Sequence, residues 1–282
     1  MVSSFYYTAG DLRRLEVQAA QIRRDIVTMI HAAKEGHPGG SLSAVEIITA
    51  LYFSVMNIDP QRPQWADRDR FILSKGHACV ALYAALARRG YFDPALLSSL
   101  RRYHSILQGH PDMNKTPGVD MSAGSLGNGL SAGVGMALSG RLRRRNYMTY
   151  VMLGDGELQE GIVWEAAMAA SHHQLKNLVA IVDCNGVQIN GWTNDVMTVE
   201  PLAEKWRSFG WRVIEANGHD MRQVLDALHT ARTMCHPTAM LMRTVKGKGV
   251  SFMEDDAGWH GRPPDDEEMV RAIADIETGG AV

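Results

Sequence analysis

The chain has 282 residues and a formal net charge of −2, with 29 Lys and Arg against 31 Asp and Glu. That balance excludes a basic nucleic-acid footprint as the main mode of action, and no apolar run approaches the roughly 20 residues of a membrane-spanning helix. Three scattered cysteines, Cys79, Cys184 and Cys235, offer no CxxC or finger spacing for zinc; with no basic-then-apolar leader in MVSSFYYTAGDLRR, they point to a reduced cytoplasm.

Leu12, Leu15, Ala19, Ile22, Ile26, Met29 and Ala33 recur at three- and four-residue spacing, which predicts an amphipathic helix over 11–35 stopped by Gly36. His37-Pro-Gly-Gly40 then reads as a turn that cannot be helical. Ser43 and Glu46 read as a capping box opening a second helix to about Val55. A short strand over 71–74 leads into the loop Ser74-Lys-Gly-His77 and a helix over 78–89, and Asp93-Pro94 caps another. The stretch 104–129 holds five glycines and two prolines without periodicity, and a loop that long inside a compact domain is usually functional. A small-faced helix over 130–144 ends in the only dense basic run, Arg141, Arg143, Arg144 and Arg145, where cations favour the helix dipole.

Strands over 147–153, 178–183, 211–215 and 238–243 alternate with helices near 161–174, 201–208 and 221–234, and a last helix is expected over 265–277. This order predicts an α/β fold: a doubly wound, mainly parallel sheet with helices on both faces. No Pro- or Ser-rich linker divides it, so 1–282 reads as one domain. Such sheets bind ligands at the C-terminal ends of their strands.

One of those ends poses a chemical problem. Gly154-Asp-Gly-Glu-Leu-Gln-Glu-Gly161 joins a strand to a helix, a setting that normally cradles an anion on backbone N–H groups. Asp155 puts a negative charge there, flanked by Gly154 and Gly156. A carboxylate aimed at a phosphate makes sense only with a cation between them, and Mg²⁺ combines one or two protein oxygens with phosphate oxygens. A second oxygen ligand is then expected at a neighbouring strand end. Asn185 lies thirty positions on, one helix and one strand later. Gly186 would let the chain turn so that the Val187 carbonyl joins Asp155 and Asn185 as a third ligand. The plainer alternative is a capped turn at Asp155 and an ordinary Asn-Gly turn.

Gly-Asp-Gly followed about thirty residues later by Asn resembles the metal and diphosphate motif of thiamine diphosphate enzymes. Further motifs narrow the resemblance: His37-Pro-Gly-Gly, Ser74-Lys-Gly-His77, Gly109-His110-Pro, Gly124-Ser-Leu-Gly-Asn-Gly129, Asp183-Cys-Asn185 and Trp259-His260-Gly261. Their order over residues 10 to 265 resembles the N-terminal, diphosphate-binding domain of transketolase. Departures are Ser125, where the family often has Pro, and Cys184, where it often has Asn. Neither touches an expected metal ligand or site histidine.

The resemblance implies thiamine diphosphate with Mg²⁺, or Ca²⁺ or Mn²⁺ in its place, and transfer of a two-carbon ketol unit from a ketose phosphate to an aldose. It implies that His37, His77, His110 and His260 converge over the cofactor, with His37 and His260 on substrate hydroxyls and proton transfer. His77 and His110 would lie near the donor oxygen, with His77 also touching the diphosphate. It implies that Gly124, Ser125 and Leu126 line the cofactor, that Lys246 reaches the diphosphate, and that Glu160 joins a carboxylate network between two active sites. For Glu160 an N-terminal helix acid, and for Lys246 a solvated lysine, stay open as simpler readings. The other seven of the 11 histidines lie in no motif.

The family's pyrimidine-binding and C-terminal domains have no counterpart in these 282 residues. The resemblance is therefore to the small subunit of a split, two-gene transketolase. It implies a partner chain carrying those domains, a heterotetramer with two copies of each chain, and at least a homodimer of this one. Thr116 to Gly129 and the His37 loop would then line an interface. Competing readings are a 1-deoxyxylulose-5-phosphate synthase-like or dihydroxyacetone synthase-like protein, and a non-catalytic nucleotide-binding module. Gly127-x-Gly129-x-x-Ala132 matches a dinucleotide fingerprint only formally, because it follows a loop.

Overall fold

A computed structural model describes residues 7–279. Residues 1–6, part of the stretch read above for a leader, lie outside it. Helix α1 (Ala9–Ala33) starts two residues earlier than its periodicity suggests, because Thr8 and Asp11 form a reciprocal capping box. It is followed by α2 (Pro38–Leu42), α3 (Val45–Ala50), β1 (Arg70–Leu73) and α4 (Cys79–Arg89). After the long loop come α5 (Asn128–Leu142), β2 (Thr149–Gly154), α6 (Gly161–His172) and β3 (Leu178–Cys184). The remainder is β4 (Val187–Gln188), β5 (Gly191–Trp192), α7 (Thr193–Val196), α8 (Leu202–Ser208), β6 (Arg212–Asn217), α9 (Met221–Thr233), β7 (Thr238–Arg243) and α10 (Asp266–Gly279).

Five strands make one all-parallel sheet in the order β1-β2-β3-β7-β6. Side chains alternate along each strand between two cores. Phe71, Leu73, Tyr150, Met152, Val179 and Ile181 pack with buried residues of α1, α3, α4 and α9. Ile72, Val151, Leu153, Ala180, Val182 and Leu241 pack with those of α5, α6 and α8. Burial on both faces is why these strands read as continuous apolar runs, and it is the doubly wound arrangement that the β-α-β order predicts. Among the described residues no helix is long and apolar enough to cross a membrane.

Two expectations need correction. His37-Pro-Gly-Gly is helical from Pro38: Pro sits at the first helical position, where its missing N–H costs nothing. Gly39 is there for space, since a Cβ would come within 3.0 Å of the Trp259 carbonyl oxygen and the Lys246 side chain. Ser43 makes no capping box. It ends α2, and its hydroxyl turns inward to Asp183 Oδ2 at 2.6 Å, while Glu46 pairs with Arg23 and His219. The helix that follows starts at Val45, widens into a π turn over Leu51–Val55 and ends where the sequence predicts. For Ser43 and Glu46 a tertiary partner outcompetes the local motif. The β4–β5 hairpin and α7 have no sequence expectation, being too short to show a period.

The long loop is fixed rather than loose. Tyr83 Oη donates to the Gln108 and His110 carbonyls at 3.0 Å each, Thr116 Oγ1 donates to the Ile106 carbonyl at 2.5 Å, and buried Asp120 accepts the Phe71 N–H at 2.8 Å.

Candidate active site

The C-terminal ends of the parallel strands carry the candidate residues. Lys75 and His77 follow β1, Asp155 follows β2, Asn185 follows β3 and Lys246 follows β7. Gly154 pairs in register with Asp183, so the Asp155 and Asn185 turns leave adjacent strands at the same level.

Asp155 is buried, at 5% exposure, and N-caps the short 3₁₀ turn Gly156–Gln159. Its Oδ1 accepts the Gly156 N–H at 2.8 Å and its Oδ2 the Gly186 N–H at 2.6 Å. Gly186 has φ +74°, a left-handed turn that favours glycine. Asn185 Oδ1 accepts the Val187 N–H at 3.1 Å, and the Val187 carbonyl accepts from Lys246 Nζ at 2.9 Å. Burial, and then the neighbouring Asp183 charge, push the Asp155 carboxyl up to about 6.

Asp183 is the contrast. It is fully buried and receives Lys75 Nζ, Ser43 Oγ, Thr244 Oγ1 and Asn185 Nδ2. Burial acts to raise it, but Lys75 and these donors outweigh that and hold it below the ordinary carboxylate value. Lys75 is thus committed to Asp183 and to the Gly40 carbonyl, 2.7 Å away. The oxygens of Asp155, Asn185 and Val187 are hard donors that fit Mg²⁺ or Ca²⁺. Among the described residues no three His, Cys, Asp or Glu side chains converge as a cage. A cation here would need oxygens from a bound anion, which is what a metal–diphosphate site requires.

Three histidines meet beside this corner. Ring centroids are 5.3 Å apart for His37 and His77, 5.4 Å for His37 and His260, and 5.2 Å for His77 and His260. His37 Nδ1 is buried without a hydrogen-bond partner among the described residues. His110 is exposed and outside these ring contacts. Burial, followed by Lys75 and His260, holds His77 well below the usual imidazole range. Burial and then the Lys246 ammonium take His260 down to about 4. Burial also lowers His37 and His110. His260 is therefore neutral at pH 7, and the same burial favours the neutral form of the other three.

Lys246 is buried at 2% exposure, against the solvated reading, and its Nζ lies 3.0 Å from His260 Nδ1. Burial and Lys75 lower it to about 8. At pH 7 the ammonium is the donor and His260 Nδ1 the acceptor, which leaves the His260 proton on Nε2. Glu160 is exposed at the N-cap of α6 and caps nothing with its side chain. Gly124 and Ser125 are exposed and Leu126 half-buried, on the rim formed by the long loop.

Sequence reasoning assigned no role to Lys75, Asp183, Glu157 and Arg101. Glu157 is buried at 3% exposure; it accepts the Gly127 N–H at 2.7 Å, the Gly154 N–H at 3.0 Å and the Ser74 hydroxyl. It ties the long loop to two strand ends. The available signal was the density of charged residues in strand-end motifs, where a charge has either a ligand or a buried partner.

Residues 15–276 match the family of the transketolase thiamine diphosphate binding domain. The chain is 42% identical over 263 residues to an apulose-4-phosphate transketolase subunit of Phocaeicola vulgatus, covering 93% of each chain. It is 45% identical over 268 residues to the 6-deoxy-6-sulfo-D-fructose transketolase subunit SqwG of a Clostridium species, covering 95% of this chain and 98% of the relative. The transketolase structure from Campylobacter jejuni superposes with a TM-score of 0.88 at 30% identity, covering 93% of this chain but 42% of that one. The chain therefore matches nearly the whole of the subunit-type relatives and about two fifths of the solved transketolase. It belongs to the transketolase family, through its thiamine diphosphate-binding domain.

Proposed function

We propose that this member of the transketolase family is the diphosphate-binding subunit of a two-chain transketolase. It would transfer a ketol unit from a ketose to an aldose together with a companion chain that supplies the pyrimidine pocket. The observation that carries the reading is the meeting of the His37, His77 and His260 rings within 5.4 Å of one another, beside a buried Asp155 whose carboxylate takes the Gly156 and Gly186 N–H groups. A passive nucleotide-binding module has no use for three imidazoles at that place. Asp155, Asn185 and the Val187 carbonyl would hold Mg²⁺, with Lys246 and His77 on the diphosphate side and Gly124, Ser125 and Leu126 along the cofactor.

Thiamine diphosphate supplies, when bound, a carbon nucleophile for the donor carbonyl and a sink for the electrons of the broken C–C bond. The chain's own residues then handle protons. A neutral imidazole has one N–H to donate and one bare nitrogen to accept. His260, with its proton on Nε2, can donate to the oxygen that gains charge. His37, whose Nδ1 is buried without a partner, would take or hold a hydroxyl proton through Nε2, and His77 completes the donor set. Depressed pKa values keep these nitrogens available as bases at neutral pH.

Two relatives act, by their names, on apulose-4-phosphate and on 6-deoxy-6-sulfo-D-fructose. An anionic ketose of one of these types is the donor class to try first. The companion chain should form a heterotetramer with two copies of each chain, its active sites between unlike chains. The purified chain alone should show no ketol transfer, and adding the companion should produce both turnover and the heterotetramer mass. Robust turnover by this chain alone would overturn the split reading. Use of pyruvate in place of a ketose donor would favour the deoxyxylulose-phosphate-synthase-like alternative.

The Asp155 carboxyl sets a pH dependence. Its value is raised, so it is protonated below about 6, and a protonated carboxyl cannot ligate a cation. The apparent affinity for Mg²⁺ with thiamine diphosphate should rise by roughly tenfold per pH unit up to about 6 and then level off. Calorimetric titration of the two-chain complex between about pH 5 and 8 measures this, and a flat profile would remove Asp155 from the metal site.

A further inference from the structure

We infer that His219 is a positioning residue for the candidate site: its Nε2 fixes the backbone of the loop that delivers Lys246. This rests on the reading of Lys246 as a diphosphate contact.

His219 follows β6, the one sheet strand whose end contributes nothing to the site directly. Its side chain is 12% exposed. Nε2 lies 2.8 Å from the Val245 nitrogen and Nδ1 lies 3.0 Å from Glu46 Oε2. A backbone N–H can only donate, so Nε2 must be bare and the ring proton must sit on Nδ1, donated to Glu46. Glu46 is buried. Burial acts to raise its carboxyl, but Arg23 and His219 hold it below the ordinary value, so it is the charged acceptor this tautomer needs.

The same network holds the loop's other side. Arg23 donates to Glu46 through Nη2 and to the Lys248 carbonyl through Nε at 3.0 Å. The Val245 N–H and the Lys248 C=O are thus both clamped from α1 and α3, and Lys246 lies between them. The Gly247 N–H reaches the Gly39 carbonyl at 3.0 Å, and the Asp255 N–H reaches the Lys246 carbonyl at 2.9 Å. Behind this loop lies a cavity of about 550 Å³, lined in part by Arg23, Glu46, His219 and Lys248. On the cavity side these polar struts are what hold the loop.

Two variants test this, His219→Ala and His219→Gln. A glutamine amide oxygen can stand near the Nε2 position and accept from Val245; alanine cannot. Hydrogen exchange on the purified chain should rise roughly tenfold or more in residues 244–249 of the alanine variant, with 238–243 unchanged. The glutamine variant should return toward wild type. In the reconstituted complex the alanine variant should bind thiamine diphosphate with Mg²⁺ roughly tenfold more weakly, with kcat at saturating cofactor within about twofold. Unchanged exchange over 244–249 in the alanine variant would overturn the proposal, as would faster exchange with wild-type affinity. If the alanine variant opens throughout, the glutamine variant decides: protected 244–249 residues and near-wild-type affinity support the proposal, and an exposed loop sinks it. Exchange is read without cofactor, so a wild-type complex that fails to bind thiamine diphosphate would count against the proposed function and leave the strut intact.

Discussion

Asp155→Ala should remove metal-dependent thiamine diphosphate binding from the two-chain complex, with Kd rising by at least about 10²-fold. Asp155 is the one carboxylate in the proposed ligand set, and Asp183, the nearest other, is saturated by Lys75, Ser43 and Thr244. No second acid is free to substitute. Asn185→Ala should cost less, roughly tenfold, because it deletes a neutral ligand; it also releases the Val187 N–H that Asn185 Oδ1 holds. Titration of Mg²⁺ at fixed thiamine diphosphate measures both. Wild-type affinity in Asp155→Ala would remove the cation from this corner. The Lys246 ammonium would then be the charge that Asp155 serves.

The strand-end placement of Asp155 and Asn185 was legible from their spacing of one helix and one strand, and the two turns do leave adjacent strands. The capped turn that the sequence also allowed at Asp155 is present, through the Gly156 and Gly186 N–H groups; the cation stays part of the proposal. The strands were legible because both faces of the sheet are buried, so Tyr150 to Leu153 and Leu178 to Val182 carry no polar interruption. What stayed hidden depends on contacts between distant residues. Ser43 and Glu46 satisfy the capping-box rule, yet Ser43 bonds Asp183, 140 positions away, and Glu46 bonds His219, 173 positions away. Local spacing cannot see such partners. His219 looked like any other histidine beside a turn, because its role rests on a backbone N–H from another strand end. The α2 helix is hard to see in the sequence because Gly39 and Gly40 have low helix propensity, whereas Pro38 at the first helical position favours it.

His260→Ala and His37→Ala should leave thiamine diphosphate affinity within a few fold and lower kcat/KM for the ketose donor by roughly 10²–10³-fold each, the scale of one general acid or oxyanion donor. The geometry gives the two losses different signatures. His260 is held by Lys246 at Nδ1 and presents Nε2–H, so its loss removes a donor, and kcat should fall with KM little changed. Lys246 would keep its bond to the Val187 carbonyl, which is why cofactor affinity should survive. His37 touches both other rings and keeps an unpartnered Nδ1. Its loss removes a base and loosens His77 and His260 together, so kcat and KM should both move. The double variant should then lose less than the product of the single losses, because the three rings act as one packed unit. Steady-state kinetics of the two single variants and the double variant provide the measurement. Unchanged turnover in both single variants would place proton transfer elsewhere, and strictly multiplicative losses would show that the rings act independently despite their contact.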